Sequence, residues 1–139
     1  MTRKENESIA ALFDAVNFRI ERAGEKLAIA IAQDAATNEV LMVAFMNRAA
    51  LAKTIETGEM HYFSTSRKKL WFKGESSGHI QRVRDMLLDC DGDALLFKVE
   101  QSVGSCHKGY YSCFFRKVEN GKLKLIGRKV FEPSSTYKR

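Results

Sequence analysis

The stretch HIQRVRDMLLDCDGDALLFKVEQ, residues 79 to 101, is the one on which the fold turns. Its first half obeys two periods at once. Ile80, Val83 and Leu87 recur at helical spacing, while Gln81, Val83, Asp85 and Leu87 alternate with Ile80, Arg82, Arg84 and Met86 as in a strand. The second half decides between them. ALLFKVEQ is strand-like, and Asp91-Gly92 between the two runs is a hairpin signal, because glycine enters left-handed backbone at no steric cost. The expected unit is strand, tight turn, strand.

The flanking sequence extends that pattern. KLAIAIA and EVLMVAF, separated by DAATN, predict a hairpin between Lys26 and Phe45, and SCFFRKV and KLKLIGRKV, joined by Asn120-Gly121, predict another. MHYFS is a further strand, and LWFK at residues 70 to 73 leads into a small-residue loop of Gly74 and Ser76-Ser77-Gly78 that can approach a ligand closely. Two helices complete the reading. Ile9, Leu12, Phe13 and Val16 form one apolar stripe that Ser8 or Asn6 could cap, and Asn47 starts a second helix that packs Leu51, Ile55 and Ala52 and ends at Gly58. The fold class expected is α+β: one antiparallel-sheet-rich domain over residues 1 to 139 with an N-terminal helix.

A chain of 139 residues suits one continuous core, and 45% hydrophobic with 29% charged residues makes a folded globular domain, not disorder, the default reading. No run reaches the roughly 18 apolar residues of a membrane span, and MTRKENES lacks the apolar core of a signal peptide, so the expected location is the cytoplasm. Three cysteines, an odd number without an extracellular context, argue for reduced thiols rather than a disulfide framework. The net charge of +6 suits an anionic partner, a phosphorylated metabolite or nucleic acid, and equally an ordinary solubilising surface.

Chemistry concentrates in three places. In LLDCDGDALL, extended backbone over residues 88 to 91 would put Asp89 and Asp91 on one side and Cys90 on the other. With Asp93 nearby, three carboxylates repel one another unless a cation compensates, and Mg²⁺ prefers such oxygen ligands. A solvated acidic turn is the plain alternative; a calcium loop is disfavoured because Ala94 stands where its glycine is needed. Cys90, Cys106 and Cys113 lack a CxxC knuckle, but three thiolates could hold Zn²⁺ and leave a fourth position for water, the arrangement of a catalytic site; burial as small hydrophobes is the alternative. His107, beside Cys106, could ligate or carry protons.

The third place is HYFSTSRKKLWFKGESSGH, residues 61 to 79. Its hydroxyls, Arg67, Lys68, Lys69, Lys73 and glycines can hold phosphate, with Tyr62, Phe63 or Trp71 against a base. The same segment reads equally as a basic face beside core aromatics, or as a surface for single-stranded nucleic acid. His61 and His79, taken singly, read as surface or satisfied core residues.

Together, LMVAFMNRAALAKTIETGEMHYFS, SRKKLWFKGESSGH, LDCDGDALLFKVEQ and CHKGYYSCFFR, which cover most of residues 39 to 117, resemble the phosphoribosyl-AMP cyclohydrolase family of histidine biosynthesis. The resemblance implies a homodimer that opens the adenine ring of N1-(5-phosphoribosyl)-AMP by hydrolysis between N1 and C6. It implies Zn²⁺ on Cys90, Cys106 and Cys113, with ligands shared across the dimer, and Mg²⁺ on Asp89, Asp91 and Asp93. His107, with His61 as second choice, would then move protons. Ser64, Ser66, Arg67, Lys73 and the loop Gly74, Ser76, Ser77 and Gly78 would hold a substrate with two phosphates.

The chain departs from the family pattern in two positions. Thr65 stands where Ser-Arg-Ser-Arg is frequent, removing one cationic contact, and Lys108 replaces a common Thr after the motif histidine. Bifunctional relatives carry a pyrophosphohydrolase domain that this sequence is too short to hold. A rival reading from another class is a zinc-stabilised single-stranded nucleic-acid-binding module. A zinc deaminase would show HxE with PCxxC, and neither occurs. The enzyme reading expects no nucleic-acid or membrane partner.

Overall fold

The computed structural model describes residues 2–136. Its elements are α1 (Arg3–Ala15), β1 (Ile20–Arg22), β2 (Glu25–Asp34), β3 (Val40–Met46), α2 (Arg48–Thr57), β4 (His61–Ser64) and β5 (Lys69–Phe72). They continue with β6 (Gln81–Leu88), β7 (Ala94–Gln101), β8 (Arg116–Glu119), β9 (Lys122–Leu125) and the short α3 (Pro133–Thr136). The ambiguous stretch folds as the antiparallel pair β6 and β7, with a register shift between Val83 and Asp85.

β2 and β3 pair antiparallel, as do β8 and β9, so the hairpins expected from turn chemistry form. What the strand patterns did not convey is that β2 also pairs with β7, in parallel, from Ile29 opposite Ala94 to Asp34 opposite Val99. The sheet is therefore mixed, in the order β5-β4-β3-β2-β7-β6, with β1 added beside β2. β2 has the composition of a central strand: Ala28, Ala30 and Ala32 are fully buried on one face, and on the other Leu27 is fully buried and Ile29 and Ile31 are half-buried.

The sheet curls until its β6 edge returns to the segment before β4. Met60 N–H donates to the Gln81 carbonyl at 2.9 Å, Val83 N–H donates to the Gly58 carbonyl at 2.8 Å, and Glu59 bridges Arg82. Inside the curl lie Leu41, Met46, Leu51, Met60, Tyr62, Leu95 and Phe97, all buried. Burial of each such large apolar side chain stabilises the domain by about 1.5–3 kcal/mol. The result is a single α+β domain.

Both longer helices show why their ends lie where they do. Asn47 accepts from Ala50 N–H at 2.8 Å, and Gly58 ends α2 in the left-handed region at φ 74°. Ala50, Leu51 and Thr54 form its buried face, while Ala52, expected there, is exposed. In α1 the cap is Thr2 rather than Ser8 or Asn6. Thr2 Oγ1 accepts from Glu5 N–H at 3.1 Å and Glu5 accepts from Thr2 N–H at 3.1 Å, a reciprocal pairing that the Thr-x-x-Glu spacing makes possible earlier in the chain. Ile9, Leu12 and Phe13 are half-buried, and Val16 is buried just past the helix end. The β8–β9 hairpin is exposed throughout, with Val118, Leu123 and Leu125 facing solvent. No described helix is long and apolar enough to cross a membrane.

Candidate functional site

Two turns and one loop enclose a cavity of about 370 Å³. The first turn joins β4 to β5: Ser64 Oγ accepts from Arg67 N–H at 3.2 Å and lies 3.3 Å from Ser66 Oγ, so two hydroxyls and a guanidinium meet at one rim. The second turn follows β5 and presents Ser76 and Ser77 to the same space. Gly74 makes that turn possible. Its φ is 95°, and a Cβ there would sit 2.8 Å from Ile80 N and 2.9 Å from the His79 carbonyl carbon. Gly78 closes the turn by donating to the Gly74 carbonyl at 2.8 Å, but does not line the cavity.

The loop after β7 brings the sulfurs. Ser105 N–H donates to the Tyr111 carbonyl at 2.8 Å and Cys106 N–H to the Tyr110 carbonyl at 3.1 Å, which folds the loop back on itself. Ser112 Oγ donates to the Val40 carbonyl and Cys113 N–H to the Leu41 carbonyl, both at 2.7 Å, pinning the loop to β3. The two cysteines consequently come near enough for the Cys106 charge to be felt at the Cys113 sulfur. Cys106 is buried; Cys113 is exposed as a residue and lines the cavity with His107 and Ser105. A second clamp lies behind the loop, where Tyr111 Oη donates to Asp34 and the Arg128 guanidinium sits 4.5 Å from the Tyr111 ring centroid.

Lys73 joins the two halves of the site. Its side chain is buried, its Nζ donates to the Ser105 carbonyl at 2.5 Å, and it lies 5.3 Å from the Trp71 ring centroid. Burial lowers the Lys73 pKa, opposed by the electrostatic influence of Cys113 and then Cys106. Desolvation at the sulfur and then the Cys106 charge push the Cys113 thiol up, while Lys73 and Ser105 pull it back. The sequence grouped Lys73 with the phosphate-holding residues; the fold puts its ammonium against the cysteine loop. Behind Ser105, Tyr62 Oη donates to Gln81 Oε1 at 2.6 Å and Gln81 Nε2 to Gln101 Oε1 at 2.7 Å, a buried relay that holds the loop's base.

The acidic cluster forms elsewhere, at the β6–β7 turn. β6 ends at Leu88, so residues 89 to 93 are a turn and not the extended segment from which opposite faces were argued. Asp89 Oδ1 accepts from Asp93 N–H at 3.1 Å and Ala94 N–H at 3.2 Å, wrapping the turn until one oxygen each from Asp89, Asp91 and Asp93 lies within 4.8 Å of the others. Cys90 stays outside that group and is exposed. Arg19 answers the charge: its Nε donates to Asp93 Oδ2 at 2.6 Å and its Nη2 lies 3.8 Å from Asp91. Burial pushes the Asp93 carboxyl up, but hydrogen bonds from Asp91 and Arg19 bring it below its ordinary value; Asp91 is raised, first by its hydrogen bond to Asp93.

The donor sets fit their metals unequally. Three clustered carboxylates are hard ligands that suit Mg²⁺. Two converging thiols suit Zn²⁺ but are one short of the three-sulfur set, and among the described residues no third histidine, cysteine or carboxylate gathers with them. His61 is also apart: its Nδ1 lies 2.9 Å from the Glu59 carbonyl and its ring stacks on Phe72 at 4.8 Å, off the cavity wall.

Met42, Glu75 and Ser105 line the cavity and Arg19 meets the acidic turn, none of them singled out from sequence. Glu75 and Ser105 adjoin motif residues and were within reach of that reading. Met42 and Arg19 carry no local signal, being placed by strand pairing and by the path after α1.

The phosphoribosyl-AMP cyclohydrolase family model matches residues 42–115. The phosphoribosyl-AMP cyclohydrolase of Methanothermobacter thermautotrophicus is 60% identical over 124 residues, 88% of this chain and 90% of that one. Those of Methanococcoides burtonii and Methanocaldococcus jannaschii are 58% and 62% identical, over 82% and 75% of this chain and 92% and 81% of theirs.

Proposed function

The chain belongs to the phosphoribosyl-AMP cyclohydrolase family, and from that membership we propose that it uses zinc to open the adenine ring of N1-(5-phosphoribosyl)-AMP in histidine biosynthesis. The observation that carries this reading is a single cavity joining a thiol, a histidine and two hydroxyl-rich turns. A ribosyl group on N1 leaves C6 electron-poor. The oxygen of water adds to C6, the C6–N1 bond breaks, and that oxygen remains as the carboxamide oxygen. The exocyclic nitrogen stays in the product, so no ammonia leaves.

His107, exposed on the cavity wall, takes a proton from the attacking water and returns one to N1. Ser64, Ser66 and Arg67 at one rim and Ser76, Ser77 and the Gly74 to Ser77 backbone at the other orient the two phosphates, with Gly78 closing the turn behind them. Lys73 holds the cysteine loop in place through its bond to the Ser105 carbonyl. Cys106, Cys113 and Cys90 of the partner subunit would hold zinc, which supplies Lewis acidity and activation of water near neutral pH. The exposed position of Cys90 supports this sharing and hence a homodimer. Asp89, Asp91 and Asp93 would hold Mg²⁺.

The nucleic-acid reading loses support, because Tyr62 and Phe63 are buried and cannot present their faces to successive bases. The test is product formation from N1-(5-phosphoribosyl)-AMP by metal-loaded, chelated and zinc-restored protein. Ring opening should vanish on chelation and return with zinc, without ammonia. Absence of turnover by the metal-loaded protein, or release of ammonia, would sink the proposal.

A further inference from the structure

Three aromatic side chains stood near the phosphate-holding residues in sequence, and the fold treats them differently. Tyr62 and Phe63 are buried, whereas Trp71 is half-buried and lines the cavity. Its strand, β5, runs from the turn carrying Ser66 and Arg67 to the turn carrying Ser76 and Ser77, so the indole lies between the two polar rims. The indole is also fixed without any ligand. Tyr62, its partner across the strand pair, packs at 5.4 Å between ring centroids with a 37° tilt, and Lys73 Nζ lies 5.3 Å from the ring centroid. Met42, from β3, adds an apolar surface to the same lining.

The proposed substrate carries its purine between two phosphates, and this cavity carries its indole between two phosphate-suited turns. We infer that Trp71, with Met42 on the same cavity lining, is the wall against which the adenine packs, and so the residue that makes the site prefer a purine nucleotide over a sugar phosphate. The inference rests on the ring-opening reading and adds the specificity determinant to it. A flat aromatic surface held by neighbours gains contact with a base at little cost in side-chain ordering. The polar rims alone would bind a phosphorylated ribose as readily.

Kinetics of Trp71→Leu and Trp71→Phe in the metal-loaded protein test this. KM for N1-(5-phosphoribosyl)-AMP should rise about tenfold in Trp71→Leu, as for loss of one base–aromatic contact, with kcat held within about threefold, the mark of uniform binding. Trp71→Phe should recover much of the loss. Inhibition by AMP should weaken in parallel while inhibition by ribose 5-phosphate does not, a split that a merely structural role would not produce. An unchanged KM, or equal weakening of both inhibitors, overturns the inference.

Trp71 is the only tryptophan in the sequence, so the unaltered protein offers a second measure that does not depend on a variant folding. AMP should change its emission and ribose 5-phosphate should not; silence at inhibitory AMP concentrations also overturns the inference. Wild-type product formation is read separately. Failure of the ring-opening proposal would show there, while the emission response to AMP still reports the wall.

Discussion

The loop holding Cys106 and Cys113 and the turn holding Asp89, Asp91 and Asp93 both crowd like groups together, and the chain treats them in opposite ways. At the acidic turn the chain supplies its own answer: Arg19 reaches Asp93 and Asp91, and backbone N–H groups satisfy Asp89. At the thiol pair Lys73 holds the loop through the Ser105 carbonyl, but no third ligand gathers among the described residues. The acidic turn is therefore a finished piece of one chain's fold. The thiol pair lacks a third ligand, which the proposed zinc site draws from the partner subunit.

The largest effect should come from the unfinished side. Cys106→Ser should lose stoichiometric zinc and lower activity by at least about 100-fold, since even outer-shell partners of metal ligands cost 10–100-fold. Retained zinc would remove Cys106 from the site. Cys90→Ser should be equally inactive by itself. Mixing the two variants under conditions of subunit exchange should restore about a quarter of wild-type activity, because half of the dimers would carry one intact site. No recovery on exchange would break the contrast between the two regions.

A smaller effect is expected at the finished side. Arg19→Gln removes the partner of Asp93 and should lower the midpoint of thermal or denaturant unfolding, by less than loss of a fully buried pair because the guanidinium is 59% exposed. Mg²⁺ should stabilise this variant more than the wild type, because the guanidinium no longer competes for the same oxygens. Equal stabilisation of both would show that Arg19 and Mg²⁺ do not share the cluster.

The smallest effect concerns the clamp that holds the thiol loop on β2. Tyr111→Phe should cost about 1–2 kcal/mol near neutral pH, the worth of a hydrogen bond to a charged group. Desolvation and the Asp34 hydrogen bond push the Tyr111 hydroxyl up from 10.0 to about 12. A raised folded-state pKa stabilises fully below the unfolded value, so this contribution is present below pH 10 and disappears as the pH rises toward about 12. Asp34 is shifted the other way: burial opposes, but the Tyr111 and backbone hydrogen bonds lower its pKa, so its contribution is present above 3.8 and lost on acidification. The wild-type advantage over Tyr111→Phe should therefore narrow in both directions, measured by unfolding at a series of pH values. A gap that stays constant between pH 10 and 11 would remove Tyr111 titration from the clamp.

Much of the local structure was legible because it is written in short-range chemistry. Asn47 and Gly58 mark the ends of α2, and Asp91-Gly92 and Asn120-Gly121 mark turns, since each depends on backbone conformations that few residues accept. The Thr2–Glu5 capping box is equally local, but it lies a full turn before the apolar stripe, which points to Ser8 or Asn6 instead. The acidic turn shows the limit of the alternation argument. Period-2 reasoning holds only while the chain is extended, and the strand stops at Leu88, one residue before the cluster begins.

By itself the sequence determined the hairpin units, the two capped helices, the ligand types available and, through several motifs in order, the family. Only the tertiary structure decided that β2 lies parallel to β7, that the curled sheet brings both hydroxyl turns and Cys113 to one cavity, and that Lys73 faces the cysteine loop. It also decided that Cys90 lies apart from the other two thiols. The physical reason is the range of the interactions involved. Caps and turns are settled within about four residues, whereas strand partners and cavity walls join segments tens of residues apart, and packing, not local preference, selects them.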